Sequence, residues 1–294
     1  TEFIIVGANL TGLCTALALS NLNQKSIIIE RKKLSVPLAK DGRAIALSYQ
    51  SKQILEKSGM WKSLSPYAGT IEQIRVTDQY SPFFLHFNKD STLGYLIESD
   101  DIQQALYKQA LQDPNITIFD NSEYKLLENN DNKTIIQLNG DILESKLIIA
   151  ADGKFSSLRK LCKIDHFFHD YNQTAIVCKV QHEKPHNSIA QEIFLKNGPF
   201  AILPLKDQHQ SGIVWTETPE IATSLIATEK NKFNYFITQK FTDYLGKVEV
   251  INNVISYPLQ LMMAKEYYRN RIMLIGDSAH SVHPISGQGF NLAL

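Results

Sequence analysis

The stretch Phe3-Ile4-Ile5-Val6-Gly7-Ala8-Asn9-Leu10-Thr11-Gly12 decides the fold. Its apolar, β-branched opening predicts a short buried strand that runs into a glycine turn. Leu10 to Leu22 then carries helical spacing, and Ser26 to Glu30 is a second apolar run. Strand, tight turn, helix and strand make a βαβ unit. A turn of this kind offers a pyrophosphate the free amides and positive end of the following helix, and Glu30 stands where a carboxylate can take a ribose hydroxyl. Asn9 occupies the position that is usually the middle glycine of G-x-G-x-x-G, and asparagine tolerates left-handed backbone better than most residues. Read alone, the loop suits NAD and FAD equally, or simply reverses the chain.

Working outward, Leu47 to Ser58 has helical spacing and stops at Gly59, after a basic, proline-containing loop from Arg31 to Gly42. Thr70 to Leu96 is strand-like. Asp100 to Leu111 returns to helix behind the acidic pair Asp100 and Asp101, whose charge favours a helix start. Ile116 to Phe119, Tyr124 to Leu127, Thr134 to Leu138 and Leu143 to Ala150 read as strands, a hairpin followed by a buried strand. Thr174 to Trp215 alternates apolar runs with polar turns and predicts a largely antiparallel sheet. Ile221 to Leu245 is helical, Val248 to Pro258 a strand, and Arg271 to Ile275 a buried strand.

Two further loops could carry chemistry. Asp152, Gly153, Ser156 and Arg159 follow a buried strand, in a pattern that also fits an ordinary Asp-Gly turn and a capped helix. Arg271 to Asn291 delivers Gly276 and Asp277 at a strand end, where a carboxylate can accept a ribitol hydroxyl. Gly287 and Gly289 follow, suited to close approach of a flat ligand. His280 and His283 lie on a glycine-rich turn with no third ligand nearby in sequence, so no metal site is predicted.

Composition bounds the rest. Thirty basic residues balance thirty acidic ones, which removes the broad positive field that nucleic-acid binding uses. No apolar run approaches the roughly 20 residues needed to span a bilayer. Cys14, Cys162 and Cys178 lie far apart without a Cys-x-x-Cys pair, which fits a reducing cytoplasm. No targeting segment precedes Phe3, and Gly289 to Leu294 reads as the first turn of a helix without a stop signal. The polypeptide is therefore expected to be cytoplasmic and to continue past Leu294.

Taken together, Gly7 to Gly12 with Glu30, Asp41-Gly-Arg-Ala-Ile-Ala-Leu47, the Asp152-Gly153 segment, Gly198-Pro-Phe-Ala-Ile-Leu-Pro-Leu205 and Gly276 to Asn291 resemble the class A flavoprotein monooxygenases. Within them the His283-Pro284 form of the last loop is similar to the ubiquinone-biosynthesis hydroxylases. The resemblance covers essentially the whole chain. It implies an α/β fold in which a Rossmann-like FAD-binding domain (1–70, 97–170 and 271–294) is interleaved with a mainly antiparallel substrate domain (71–96 and 171–270), as in para-hydroxybenzoate hydroxylase. It also implies FAD as cofactor, NAD(P)H as reductant, and hydroxylation of a polyprenylated phenol or quinone precursor by O2 through a flavin C4a-hydroperoxide.

By residue, the resemblance implies Gly7, Asn9 and Gly12 at the pyrophosphate, Glu30 at the adenosine ribose, Arg43 at the phosphate and ribityl region, and Gly276 and Asp277 at the ribityl chain. Asp152, Gly153 and Arg159 would lie near the approach of the pyridine nucleotide. The backbone of Gly287, Gly289, Phe290 and Asn291 would meet the flavin ring, and that of Pro284 the substrate, although Pro284 also reads as a rigid turn. Ser99 stands where the family commonly has Arg or Gln. Gly198 to Leu205 reads as a core strand ahead of a cavity wall, since strands of this composition are usually core. A polyprenyl substrate would bring peripheral contact with the inner face of a membrane or with ubiquinone-biosynthesis enzymes. Two alternatives remain open: a monooxygenase of a small soluble phenol, and a flavin-binding assembly protein without turnover.

Overall fold

A computed structural model describes residues 2–34, 42–79, 81–88, 91–241, 244–285 and 287–294. Asp41, part of one motif above, lies outside the described residues.

The opening strand, Phe3–Val6, sits inside a six-stranded sheet. The order is Tyr268–Arg269, Ile272–Leu274, Leu147–Ala150, Phe3–Val6, Ser26–Ile29 and Ile116–Phe119. All but the Tyr268–Arg269 edge pair in parallel. Such strands are apolar on both sides because both faces are covered. On one face the helices Leu10–Asn21 and Ser99–Gln112 pack Leu13, Leu17 and Leu106 against Ile5, Ile28 and Ile149. On the other, an antiparallel meander of Tyr124–Asn129, Thr134–Leu138 and Asp141–Ser145 packs Ile136 and Leu138 against Ile4, Val6 and Ile148.

The expected single strand from Leu143 to Ala150 is two strands in two sheets. Ser145 makes the switch: its hydroxyl donates to the Leu147 carbonyl and takes the Leu147 amide, while the Lys146 amide turns to the Glu2 carbonyl. Similarly, the helix expected from Leu47 starts at Tyr49. Ala44–Ser48 is a strand paired with Gly94–Glu98, which also pairs with Gly69–Ile71. The Ser48 side chain caps the helix by accepting from the Ser51 amide.

The third layer is a nine-stranded sheet. Its main path runs His280–Ser281, Ile255–Ala264, His166–His182, Gln210–Glu217, Gly198–Pro204, Ile189–Leu195, Gln73–Asp78 and Leu85–Asn88, with Val248–Val250 paired beside His166–His182. One face packs Phe200, Ile202, Ile213 and Trp215 against Phe233, Ile237 and Phe241. Burying each of these large side chains contributes roughly 1.5–3 kcal/mol. The helix expected over 221–245 is two, Pro219–Ile226 and Lys230–Phe241, the first capped by Thr218 with Pro219 in its opening turn. The strand expected over 248–258 is interrupted where the Asn252 side chain accepts the Lys179 amide. No helix among the described residues is long and apolar enough to cross a membrane.

Candidate functional site

The strand ends at Ile29, Val6, Ala150 and Leu274 lie side by side, so the loops that follow them meet at one edge of the parallel sheet. Gly7 donates to the Ile29 carbonyl, Ala151 to Val6, and Ile275 to Ala150. Three segments remote in sequence thereby form one surface, as expected at the carboxyl edge of an open α/β sheet. The approach is tight. Gly7 has φ +107° and a Cβ there would stand 2.4 Å from the Ala151 carbonyl oxygen; on Gly12 it would stand 1.9 Å from that of Gly7. Gly276 packs in the same way on Thr11.

Asn9 is extended, at φ −87°, and serves as the helix cap, its Oδ1 accepting from the Leu10 amide at 2.8 Å. Left-handed tolerance is therefore not what suits asparagine to this position. The Glu30 carboxylate accepts from the Ala8 and Lys32 amides, each at 2.9 Å, which fixes it beside the loop. Gln103, one turn into the Ser99–Gln112 helix, donates to the Ala8 carbonyl. Ser99 itself is buried and its amide donates to the Arg43 carbonyl at 2.8 Å.

In the second segment, Ser156 caps the short helix Ser157–Leu161 and Asp152 Oδ2 accepts from Ser157. Asp152 Oδ1 is buried with no partner among the described residues. Arg159 is only 3% exposed and does not line the cleft. Its guanidinium donates to the Ser278 carbonyl at 2.7 Å and the Lys154 carbonyl at 2.6 Å, binding the second segment to the third.

In that third segment Asp277 is reached by solvent through a cleft, yet enough protein surrounds it that burial pushes its carboxyl up, against the pull of Arg43, His280 and Lys154. Both ring nitrogens of His280 are buried with no hydrogen-bond partner among the described residues. The Pro284 carbonyl accepts from the Gly287 amide at 2.8 Å. The Asn291 side chain accepts from the Ser48 amide and donates to the Ala46 and Gly287 carbonyls, bracing the Gly289–Ala293 helix against the Ala44–Ser48 strand.

These loops face a cavity of about 630 Å³, within the range of ligand clefts. Asn9, Arg43, Gly153, Asp277, Pro284, Gly287, Gly289 and Phe290 line it. Gly7, Gly12, Glu30, Asp152, Arg159, Gly276 and Asn291 are not part of its lining. The opposite wall is the free face of the nine-stranded sheet. Along Gly198–Pro204, Pro199, Ala201 and Leu203 face the cavity while Phe200 and Ile202 face the helices. Strand alternation makes both readings of that segment correct, one for each face. Residues not singled out from the sequence also line the cavity, among them Thr11, Tyr257 and Glu192, whose carboxyl burial pushes up. Period-two alternation signals a two-faced strand for Glu192, but not which face meets a ligand.

The FAD binding domain family model matches residues 1–294. Ubiquinone hydroxylase UbiL of Rhodospirillum rubrum is 33% identical, covering all of this chain and 70% of its own length. Ubiquinone hydroxylase UbiM of Neisseria meningitidis is 32% identical, with 66% of its length covered. Among solved structures, the Pseudomonas aeruginosa protein PqsL in complex with 2-aminobenzoylacetate superimposes with a TM-score of 0.83 over 99% of this chain and 82% of that one, at 16% identity, a likeness of fold. A family match over the whole length, with relatives a third identical across it, shows that the chain belongs to the FAD binding domain family, in the class A ubiquinone-biosynthesis hydroxylase group.

Proposed function

We propose that this chain binds FAD where the three loops converge and, with NAD(P)H and O2, hydroxylates the aromatic ring of a ubiquinone precursor. The observation that carries this reading is that single edge of the parallel sheet, three loops deep, opening onto an apolar wall. The residues fit a dinucleotide flavin. Gly7 and Gly12 let the first turn close tightly on the neighbouring backbone, Gly153 and Gly289 have open space where a Cβ would be, and, among the described residues, Asp152 and His280 hold buried polar atoms without protein partners. The FAD-binding part comprises 1–70, 97–170 and 271–294, and the substrate part 71–96 and 171–270.

When bound, FAD supplies the redox and oxygen-activating chemistry, with NAD(P)H as the reductant. The chain supplies placement. The amides after Gly7 and the dipole of the Leu10–Asn21 helix hold the pyrophosphate. Glu30 takes the adenosine ribose, and Arg43 with Asp277 takes the phosphate and ribityl hydroxyls. Backbone amides of Gly289, Phe290 and Asn291 offset negative charge at the flavin ring. Arg159 acts by fixing the Asp152 and Gly276 segments together rather than by touching the pyridine nucleotide.

The cavity wall excludes water from the reacting ring. Its apolar face runs on to the sheet edge through Ala190, Ile74 and Phe87, and Phe83, Phe84 and Leu85 beside it are 79%, 38% and 66% exposed. A contiguous exposed apolar patch marks an interaction surface. It supports a polyprenylated substrate drawn from a membrane to which the protein binds peripherally. The test is product analysis with NAD(P)H, O2 and a panel of prenylated and soluble phenols. Ring-hydroxylated prenylated product supports the reading. Turnover confined to soluble phenols favours a small-phenol monooxygenase, and a bound flavin that NAD(P)H never reduces favours an assembly role.

A further inference from the structure

The free face of the nine-stranded sheet carries one cross-strand row that crosses most of the cavity. Paired registers run Val177, Val214, Ala201, Glu192, Val76 and Leu85 on six successive strands. Glu192 is the one ionisable residue in it. Among the described residues no hydrogen bond or ion pair engages its carboxylate, although the side chain is half-buried and lines the cavity. A carboxylate kept unpaired on an apolar wall costs stability, so its position calls for a ligand donor.

The Ala44–Ser48 strand bridges a cofactor loop and this wall. A Cβ on Gly287 would stand 3.1 Å from that of Ala46, and one on Gly212 would stand 3.3 Å from that of Ala44. Gly212 pairs with Leu203, on the strand next to that of Glu192. At ~4.8 Å per strand and ~3.4 Å per residue, two strands across and two residues along, Glu192 lies roughly 12 Å from Gly212, room for a substituted benzene ring and its hydroxyl between them.

We propose that Glu192 reads the hydroxyl group of the aromatic substrate, accepting its hydrogen bond and taking its proton as the ring reacts. The proposal rests on the ring-hydroxylase reading and adds to it a specificity-determining group. In this step the phenolic O–H bond breaks and the proton passes to a Glu192 oxygen. The electron pair left on the ring oxygen feeds the positions ortho and para to it. Burial holds the carboxyl above its usual range, which narrows the gap to a phenol and makes the transfer easier. The other titratable groups lining the cavity are Arg43 and Asp277 on the loop side and Tyr257 across the sheet.

The experiment compares binding of p-cresol and of its methyl ether, which has no hydroxyl to donate, by the FAD-loaded wild type and Glu192→Gln, across pH. Wild type is expected to prefer p-cresol by about 10-fold, the scale of one charge-assisted hydrogen bond. That preference grows as pH rises through the raised Glu192 value, because the carboxylate is the acceptor. In Glu192→Gln the preference is expected to fall to about 3-fold or less and to be flat with pH. An equal preference in the two proteins, or an unchanged pH dependence in the variant, overturns the proposal. The hydroxylase reading is judged separately: wild type that discriminates the two ligands yet hydroxylates no phenol contradicts that reading and, with it, the proton transfer, and leaves only the Glu192 hydrogen bond to a phenol standing.

Discussion

The two large sheets build their halves of the cleft by different means. At the edge of the parallel sheet, geometry resides in turns: Gly7, Gly12 and Gly276 pack on neighbouring backbone or on Thr11, and Asn9 and Ser156 cap helices. On the nine-stranded sheet it resides in register, since alternation alone sends Phe200 to the core and Ala201 to the cavity. The packed glycines Gly7 and Gly12 tolerate almost no added atom, whereas a sheet face tolerates exchange so long as its polarity is kept. Substitutions should therefore act all-or-none on stability at those glycines and by degrees on the wall.

The largest effect tests the loops directly. Gly12→Ala is expected to cost at least about 4 kcal/mol, because its methyl would overlap the Gly7 carbonyl, and denaturant unfolding checks it. Gly289→Ala, whose Cβ meets nothing within 4 Å, should keep wild-type stability and lose FAD affinity instead. Equal stability of the two variants would break the contrast.

Next in size is Arg159→Met. The change leaves the Ser278 and Lys154 carbonyls without their buried donor, at about 3 kcal/mol. Its melting temperature should fall while the preference between NADH and NADPH stays as in wild type; a changed nucleotide preference would return Arg159 to the pyridine-nucleotide site.

Asp277→Asn should weaken FAD binding by about 10-fold, or ~1.4 kcal/mol, as read by flavin fluorescence. Since burial pushes the Asp277 carboxyl up, wild-type affinity should decline as pH falls through that raised value, and the Asn variant should show no such decline.

On the wall, Glu192→Gln should be more stable than wild type at neutral pH. A carboxyl whose value is raised by folding contributes stability that is fully present below its unfolded value and lost as pH rises through the folded one. The gap in melting temperature should thus open with rising pH; a constant gap would contradict burial as the cause. The smallest effect belongs to the exposed edge. Phe87→Ser, at a residue 53% exposed, should change stability by less than about 0.5 kcal/mol yet reduce sedimentation with phospholipid vesicles, and unchanged sedimentation would remove the membrane contact.

The sequence disclosed the loops better than the wall for the same reason. Gly7, Ser156 and Asp277 act within a few residues of a strand end, so local spacing reveals them. Arg159 and Asn291 were legible as polar residues in the right segments, but their partners lie across the fold, at Ser278 and Ala46, and only packing shows that they are braces. Glu192 is an alternating polar residue in an ordinary strand until the register sets it opposite Ala201 and Val76. Ser145 shows the same limit in the scaffold, since one hydroxyl moves the chain from one sheet to another inside an apolar run.

The central claim is that three separated loops hold a single dinucleotide flavin, and titration of the chain with FAD, FMN and riboflavin tests it most directly. The account predicts saturation by FAD at one equivalent, with FMN and riboflavin weaker by about 100-fold or more because they lack the half that the Gly7 loop and Glu30 would hold. Equal affinity for FAD and riboflavin, or no saturable flavin binding, would contradict it.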